Sequence, residues 1–143
     1  MAPGATDRVV VSGRPVALRP EEVVAAVERV LRGEEREGRV EVTFLGRDRM
    51  SALHGRWMGA HRPTDVLAFA LHGEGEPVLG DVYLCPWVAR RSAARHGVPV
   101  REELIRLVVH GTLHVLGWDH PDGEDRMRSP MWRRQESYVR AAR

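Results

Sequence analysis

The sequence predicts an α+β fold, in which helices pack on a small mixed β-sheet. Short segments of alternating or β-branched apolar residues interleave with longer segments whose apolar residues recur every three or four positions. Two of the predicted strands are consecutive and are joined by the turn-rich segment HGEGEP. The strongest helical pattern comes late in the chain. The predicted order of elements is therefore β-α-β-α-β-β-α-α-α.

Strands and helices alternate in the first half of the chain. Pro20 suits the first turn of a helix, and Gly33 suits its end. Asp48 has the side chain of an N-cap and predicts the start of a second helix there. The predicted strands are RVVVSG and RVEVTFLG, and the predicted helices are RPEEVVAAVERVLRG and DRMSALHGRWMG.

The second half begins with two strands and continues with helices. Gly97 and Gly117 follow helical patterns and suit the left-handed backbone that often ends a helix. A polar loop, WDHPDGED, follows the second of these helices, and the closing segment is helical on both sides of, or beyond, Pro130. The predicted strands are TDVLAFAL and GDVYLCP, and the predicted helices are WVARRSAARHG and PVREELIRLVVHGTLHVLG.

Length and composition predict one domain over residues 1–143, with residues 1–6 flexible. The single cysteine, Cys85, excludes a disulfide within the chain and fits a buried apolar position in a reducing compartment. No stretch reaches the roughly 18–20 apolar residues that a membrane span needs, and the N-terminus lacks the apolar core of a signal peptide. We therefore expect a cytoplasmic protein with no membrane partner.

The basic residues are all arginines, and the formal net charge is +2. The planar guanidinium group binds phosphate well, so a nucleic-acid partner is compatible with this composition. A charge of +2 alone is weak support for such a partner.

Three histidines lie in the segment HGTLHVLGWDH. His110 and His114 are four residues apart on a predicted helix, so that both side chains lie on one face. Gly117 lets the chain turn back, which brings His120 towards the same point. Three neutral imidazoles suit zinc and leave one coordination position open for water, although nickel or a similar ion could use the same nitrogens. The sequence thus predicts one zinc ion per chain.

Gly111 departs from the zinc-peptidase pattern H-E-x-x-H-x-x-G-x-x-H, which the segment otherwise matches. In those enzymes the second position is the glutamate that acts as general base. Without it, a phosphodiester is a more plausible substrate than a peptide, because the metal can neutralise charge that develops on a phosphoryl oxygen. A zinc peptidase-like hydrolase with an unusual base remains an alternative.

The segment HGTLHVLGWDH closely resembles the signature H-G-x-L-H-L-x-G-Y-D-H of the YbeY family of bacterial endoribonucleases. RPTDVLAFAL and LGDVYLC resemble two further blocks of that family, and MWRRQESYV loosely resembles its closing helix. The blocks occur in the family's order, so the resemblance covers about residues 7–140.

The resemblance implies an α+β fold with the histidine helix across a small mixed sheet. It implies a metal-dependent endoribonuclease that prefers single-stranded RNA, matures the 3′ end of small-subunit ribosomal RNA and takes part in ribosome quality control. The family's three zinc ligands fall on His110, His114 and His120. A non-catalytic ribosome-associated zinc protein is the second alternative, and the oligomeric state stays open.

The chain also differs from the family. Met58 and Ala60 stand where the family usually has an arginine and a lysine. An arginine at the first position would bind a phosphate or a transition-state charge, which methionine cannot do. Neighbouring arginines could take over this role if they point into the same cleft. The candidate RNA-binding residues are Arg56, Arg62, Arg90 and Arg91.

Two residues beside His120 have more than one interpretation. Asp119 could accept a hydrogen bond that orients a ligand histidine, or it could bind its own backbone in a turn. Trp118 is expected to pack over the end of the helix. Thr64 and Asp65, at the start of a strand, are expected to stabilise a turn.

Overall fold

The computed structural model describes residues 8–121 and 123–143, so the predicted flexibility of residues 1–6 lies outside it. Within these residues, no helix is both long and apolar enough to cross a bilayer. The elements follow the predicted order. They are β1 (Val9–Ser12), α1 (Pro20–Gly33), β2 (Gly38–Phe44), α2 (Arg47–Met58), β3 (Val66–Ala70), β4 (Val78–Leu84), α3 (Pro86–His96), α4 (Val100–Val115), a 3₁₀-helix (Gly123–Arg128) and α5 (Pro130–Ala141).

The four strands form one mixed sheet in the order β1-β2-β4-β3. β1, β2 and β4 are parallel. α1 connects β1 to β2, and the longer connection from β2 to β4 contains α2 and β3. β3 pairs with β4 in antiparallel register through the turn-rich connection. The mixed sheet and the helices packed on it confirm the predicted α+β class.

α4 crosses the sheet and forms the centre of the core. Its apolar residues pack with fully buried valines of the central strands, among them Val40, Val42 and Val82. At the end of the helix, Val115 sits directly over Gly80 of β4, where a Cβ atom would collide with the valine methyl groups. Packing against the sheet therefore fixes both the distance of α4 from the sheet and its orientation across the strands.

The helix ends agree with the sequence patterns at most positions. Pro20 is the first residue of α1, and Gly97 ends α3 with a φ of 66°. The prediction for Asp48 was wrong, because α2 begins at Arg47 and Gly46 adopts the extended backbone of the N-cap. Asp48 lies in the first turn instead, where its carboxylate interacts favourably with the helix dipole and pairs with Arg47 at 3.3 Å.

The closing segment is helical on both sides of Pro130, as predicted. Ser129 separates the 3₁₀-helix from α5, and its Oγ accepts a hydrogen bond from the backbone N–H of Trp132 at 3.1 Å. The same Oγ donates to the carbonyl of Arg126 at 2.7 Å. One serine thus caps α5 and holds the preceding turn against it.

Glu34, which follows α1, joins three parts of the fold. Its carboxylate accepts hydrogen bonds from the indole N–H of Trp118 at 2.9 Å and from the hydroxyl of Tyr138 at 2.5 Å. Arg134 of α5 lies 3.4 Å from the same carboxylate, and its guanidinium group lies over the Trp118 ring. Trp118 therefore packs beside the end of α4, as predicted, and α5 is tied to α1.

Tyr138 is expected to contribute to the free energy of unfolding, and this contribution should decrease above about pH 10. Burial, together with the hydrogen bond to Glu34 and the charge of that carboxylate, raises the pKa of the Tyr138 hydroxyl from 10.0 to about 12. The folded protein keeps this proton while the unfolded chain releases it. The contribution of the Tyr138 hydroxyl to the free energy of unfolding is therefore complete below pH 10 and is lost as the pH rises towards 12.

The measurement is the free energy of unfolding in urea between about pH 9 and pH 11.5, for the wild type and for Tyr138→Phe. The advantage of the wild type should be constant below pH 10 and should shrink above it. Tyr83, whose pKa is also raised by burial, contributes equally to both proteins. A difference that stays constant across the whole range would contradict the role given to Tyr138.

Candidate metal site

The three histidines meet at the C-terminal end of α4. His110 and His114 lie on its last two turns, and His120 follows the turn at Gly117, whose φ is +100°. The ring centroids are 4.5 Å apart for His110 and His114, 5.2 Å for His110 and His120, and 5.1 Å for His114 and His120. One nitrogen from each ring lies within 4.8 Å of the others. A single ion can therefore contact all three rings.

Gln135 of α5 orients His110, and the sequence did not predict this contact. The two side chains are both buried, and the Nδ1 atom of His110 lies 2.7 Å from Oε1 of Gln135. The amide nitrogen of Gln135 donates to Glu136 at 3.1 Å, so its oxygen must face the histidine. Nδ1 of His110 therefore carries the proton and donates it. The lone pair of Nε2 is left for a metal ion.

The other two rings are also held by the protein. His120 donates from Nδ1 to the carbonyl of Pro121 at 3.0 Å, which leaves its Nε2 free. The backbone of Trp118 acts on the His114 ring and raises its pKa against the effect of burial. His110 and His120 thus each have one nitrogen in a hydrogen bond with the protein and the other available to an ion.

Asp119 binds backbone and contacts no ring through a hydrogen bond. Its Oδ1 accepts from the backbone N–H of His120 at 2.9 Å, which is the turn geometry that was one of its two interpretations. Thr64 and Asp65 also behave as turn residues, since Oδ1 of Asp65 accepts from the backbone N–H of Val66 at 2.8 Å. Asp119 therefore fixes the loop that carries His120.

Burial keeps the two helical histidines neutral. Desolvation, assisted by the neighbouring His114, Arg126 and His120, lowers the pKa of His110 to about 4 against the raising effect of Gln135. Desolvation and the charge of His120 also lower the pKa of His114. At neutral pH both rings are therefore unprotonated, which is the form that binds metal.

Gly111 faces the sheet and has no access to the histidines' shared space. A Cβ atom at this position would lie 2.6 Å from Cγ1 of Val82 and 3.3 Å from Cγ2 of Val66. This is too close for an ordinary contact, so α4 approaches the sheet only because residue 111 has no side chain. The position of the peptidase glutamate therefore points into the core.

Arg106 and Glu136 form a charged network next to Gln135. Arg106 of α4 makes two hydrogen bonds of 2.9 Å to Glu136, through Nε and Nη2. Burial raises the pKa of Glu136, but the hydrogen bonds from Arg106 and Gln135 outweigh it, and the net pKa is lowered. Glu136 is thus a carboxylate that can only accept, which fixes the orientation of the Gln135 amide.

A cavity of about 510 Å³ adjoins His110 along one face of α4. Its walls come from α3, α4, α5, the 3₁₀-helix and the turn before β3, so it is built from parts of the chain that are distant in sequence. His110 lies at one end, and the nearly buried Glu103 lies two helical turns away. The polar residues that line it are Asp65, Ser92, His96, Glu103, Arg106, His110, Arg126 and Gln135.

The four arginines proposed to bind RNA lie on the surface and do not line this cavity in the part of the chain that the structure describes. Arg91 stacks on the ring of Trp87 at 3.5 Å. The carbonyl of Arg62 faces Nδ1 of His54 at 2.9 Å. Arg56 and Arg90 are exposed on α2 and α3. Their contact with RNA stays a prediction.

The donor set of the site suits zinc. Three neutral nitrogen ligands and an open fourth position are the usual composition of a catalytic zinc site. Among the described residues, the histidines are the one group of three or more potential ligands that converges. Cys85 lies outside this group and is buried in a separate cluster with Met50 and Leu67.

A small mixed sheet crossed by a helix with two histidines, with a third in the following loop, defines a zincin-like α+β protein. The model of the family named endoribonuclease YbeY matches residues 14–143. The chain belongs to this family, as the three sequence blocks indicated.

Individual relatives agree with this assignment. The endoribonuclease YbeY of Bifidobacterium longum (strain NCC 2705) is 42% identical over 96 residues, which cover 60% of this chain and 53% of the relative. That of Thermotoga maritima is 34% identical over 113 residues, 79% of this chain and 73% of the relative. The matched part thus spans about half the length of the Bifidobacterium relatives.

A solved structure has the same fold. The solution structure of TM1509 from Thermotoga maritima superposes with a TM-score of 0.69 and 28% sequence identity. The match covers 94% of this chain and 88% of that one.

Proposed function

We propose that this protein is a zinc-dependent endoribonuclease specific for single-stranded RNA. The observation that carries the proposal is the convergence of His110, His114 and His120 on one point, beside a cavity that His110 lines. Membership of the endoribonuclease YbeY family supports RNA as the substrate. We further propose that the substrate is ribosomal RNA, in the 3′-end maturation of the small subunit and in ribosome quality control.

The protein's own groups would bind the ion and present the RNA to it. Zinc in this position would supply a Lewis acid for a phosphoryl oxygen and lower the pKa of bound water towards 7. His110 and His114 stay neutral at physiological pH, because burial lowers the pKa of both rings. Gln135 and the carbonyl of Pro121 hold two of the rings in place. The attacking group is either water or the 2′-hydroxyl of the RNA.

The test of this function is cleavage of a labelled single-stranded RNA by the zinc-loaded wild type and by His114→Ala. The variant is expected to lose about 10³-fold or more in rate, since metal-assisted charge stabilisation supplies several kcal/mol and each 1.36 kcal/mol is tenfold. His72→Ala is the matched control. That histidine lies after β3 and hydrogen-bonds to the backbone of Leu79, so cleavage should be retained.

Cleavage by His114→Ala at the wild-type rate would reject the site. Loss in both variants would indicate damage to the fold. If the wild type cuts single strands and leaves a duplex of the same sequence intact, strand specificity is supported. Product ends then separate the two attacking groups, because a 2′,3′-cyclic phosphate requires the RNA 2′-hydroxyl as nucleophile.

The ribosomal role needs its own assay. The protein is incubated with small-subunit particles that carry unprocessed RNA, and the 3′ ends are mapped. A new, unique 3′ end that depends on His114 supports maturation. Cleavage at many scattered sites would support nuclease activity but contradict the proposed role in 3′-end maturation. We expect the protein to act in the cytoplasm, where these particles are found.

The two alternatives are less well supported by the geometry. A peptidase would need a base beside the zinc, and the side-chain position of Gly111 is directed at Val82 and Val66 of the sheet. A purely structural zinc site is usually closed by four protein ligands. The described residues supply three that converge.

A further inference from the structure

We propose that Arg126 binds a phosphate group of the substrate in the cavity that His110 lines. This inference rests on the proposed function for the identity of the substrate, but it concerns a residue of the 3₁₀-helix that the sequence did not single out. The side chain lines the same cavity as His110 and Gln135.

Arg126 has an unused hydrogen-bond donor. Its Nε is a buried side-chain nitrogen without an acceptor, a state that no other side-chain N or O atom shares in the described residues. A buried N–H without an acceptor destabilises the folded protein. Such a group is usually retained where a ligand, ion or water completes it. An arginine that lines a cavity and has an Nε without an acceptor suits the oxygens of a phosphate.

The charge of Arg126 is also not paired with a carboxylate among the described residues. None of the ion pairs between described residues includes it. Glu103, on the far side of the cavity, instead lies 4.0 Å from both Arg106 and His96. A bound zinc ion would add two further positive charges near Arg126. That end of the cavity is therefore built to attract an anion.

The backbone of Arg126 is fixed, which makes the side chain a suitable anchor. Its carbonyl accepts from the hydroxyl of Ser129 at 2.7 Å and from the backbone N–H of the same residue at 3.2 Å. Ser129 in turn caps α5, the helix that carries Gln135. Arg126 and the group that orients His110 therefore belong to one connected unit. This gives Arg126 a defined position relative to the histidines.

The test measures anion binding separately from catalysis. The zinc-loaded wild type, Arg126→Ala and Arg126→Lys are titrated with inorganic phosphate and with a labelled 2′-O-methyl RNA oligomer. Arg128→Ala is the matched control, because Arg128 lies on the same 3₁₀-helix and is exposed. Arg126→Ala should weaken oligomer binding about tenfold or more, as expected for one good charge-assisted contact. Arg126→Lys should lie between this variant and the wild type, and Arg128→Ala should change binding less than twofold.

Two further readouts separate phosphate binding from a structural role. The slope of log Kd against log salt should be smaller by about 0.7 in Arg126→Ala, the value for one phosphate contact on a single strand. Zinc affinity, measured against a chromophoric chelator, should be unchanged or tighter, because a cation beside the ion has been removed. Weaker zinc binding together with a lower Tm would show that Arg126 acts on the fold, and would overturn the proposal.

The outcomes for this inference and for the proposed function are distinguishable. If the wild type does not cleave RNA, but Arg126→Ala still weakens phosphate and oligomer binding, the nuclease assignment fails and the anion site stands. If the wild type cleaves RNA, and Arg126→Ala binds and cleaves as the wild type and Arg128→Ala do, the function stands and the role of Arg126 is rejected.

Discussion

Gly111→Glu, which restores the glutamate of the zinc peptidases, is expected to prevent the protein from folding. The new Cβ would lie 2.6 Å from Val82, and the carboxylate would be forced between α4 and the sheet. Overpacking a core costs about 1–3 kcal/mol, and an unpaired buried charge costs several more. The sum is comparable with the roughly 5–15 kcal/mol that stabilise a domain. Circular dichroism and thermal unfolding of the purified variant measure the effect.

Gly111→Ala, alone and combined with Val82→Ala, tests whether the contact with Val82 causes the loss of stability. Alanine favours a helix by about 1 kcal/mol over glycine, but its methyl group meets the same valine. Val82→Ala removes that valine's methyl groups and relieves the contact. The double variant Gly111→Ala with Val82→Ala should therefore be more stable than the sum of the two single effects predicts. If Gly111→Glu folds with the Tm of the wild type, residue 111 does not face the sheet, and the argument against a peptidase loses its basis.

Gln135→Leu is expected to weaken zinc binding by about 10- to 100-fold, the usual cost of removing a group that orients a metal ligand. Leucine fills a similar volume but leaves Nδ1–H of His110 without an acceptor. The ring then has no partner that selects its tautomer, and the Nε2 lone pair is no longer fixed towards the other two histidines. Stability without metal should also fall, by about 1–3 kcal/mol, since a buried donor is left unsatisfied.

Competition with a chromophoric chelator gives the zinc affinity of the Gln135 variants, and urea unfolding of the metal-free proteins gives their stability. Arg133→Ala serves as the control, because this residue lies on the exposed side of α5. It should change neither quantity. Gln135→Glu separates orientation from packing: a carboxylate can accept the same hydrogen bond from His110, so zinc affinity should be retained better than in Gln135→Leu. Equal zinc affinity in Gln135→Leu and the wild type would exclude Gln135 as the orienting group.

The order of the elements and the convergence of the three histidines could be predicted because both depend on local patterns. A spacing of four residues places His110 and His114 on one face of any helix, and a glycine after the helix allows His120 to return. Asp48 shows the limit of such patterns, since the helix begins one residue before it and takes Gly46 as its N-cap. Several residue types fit that position, and packing decides between them.

The residues that support the site could not be predicted, because they reach it only through tertiary packing. Gln135 lies 25 residues after His110, and its contact depends on how α5 docks against α4. Arg126 is one of 22 arginines, and nothing in its neighbourhood in sequence separates it from the others. The sequence favoured Arg56 and Arg62 because they lie near the position where the family has an arginine. Proximity along the chain does not establish proximity to the cavity.

The contacts that hold the imidazole rings also affect how the ion enters. Each ring is already turned with one nitrogen towards the common point, so that little conformational entropy remains to be lost when zinc arrives. Loading should then be limited by the encounter and by the exchange of water from the ion, and should follow a single exponential. The metal site is therefore preorganised, and the backbone of the metal-free protein should be nearly the same as that of the zinc-loaded protein.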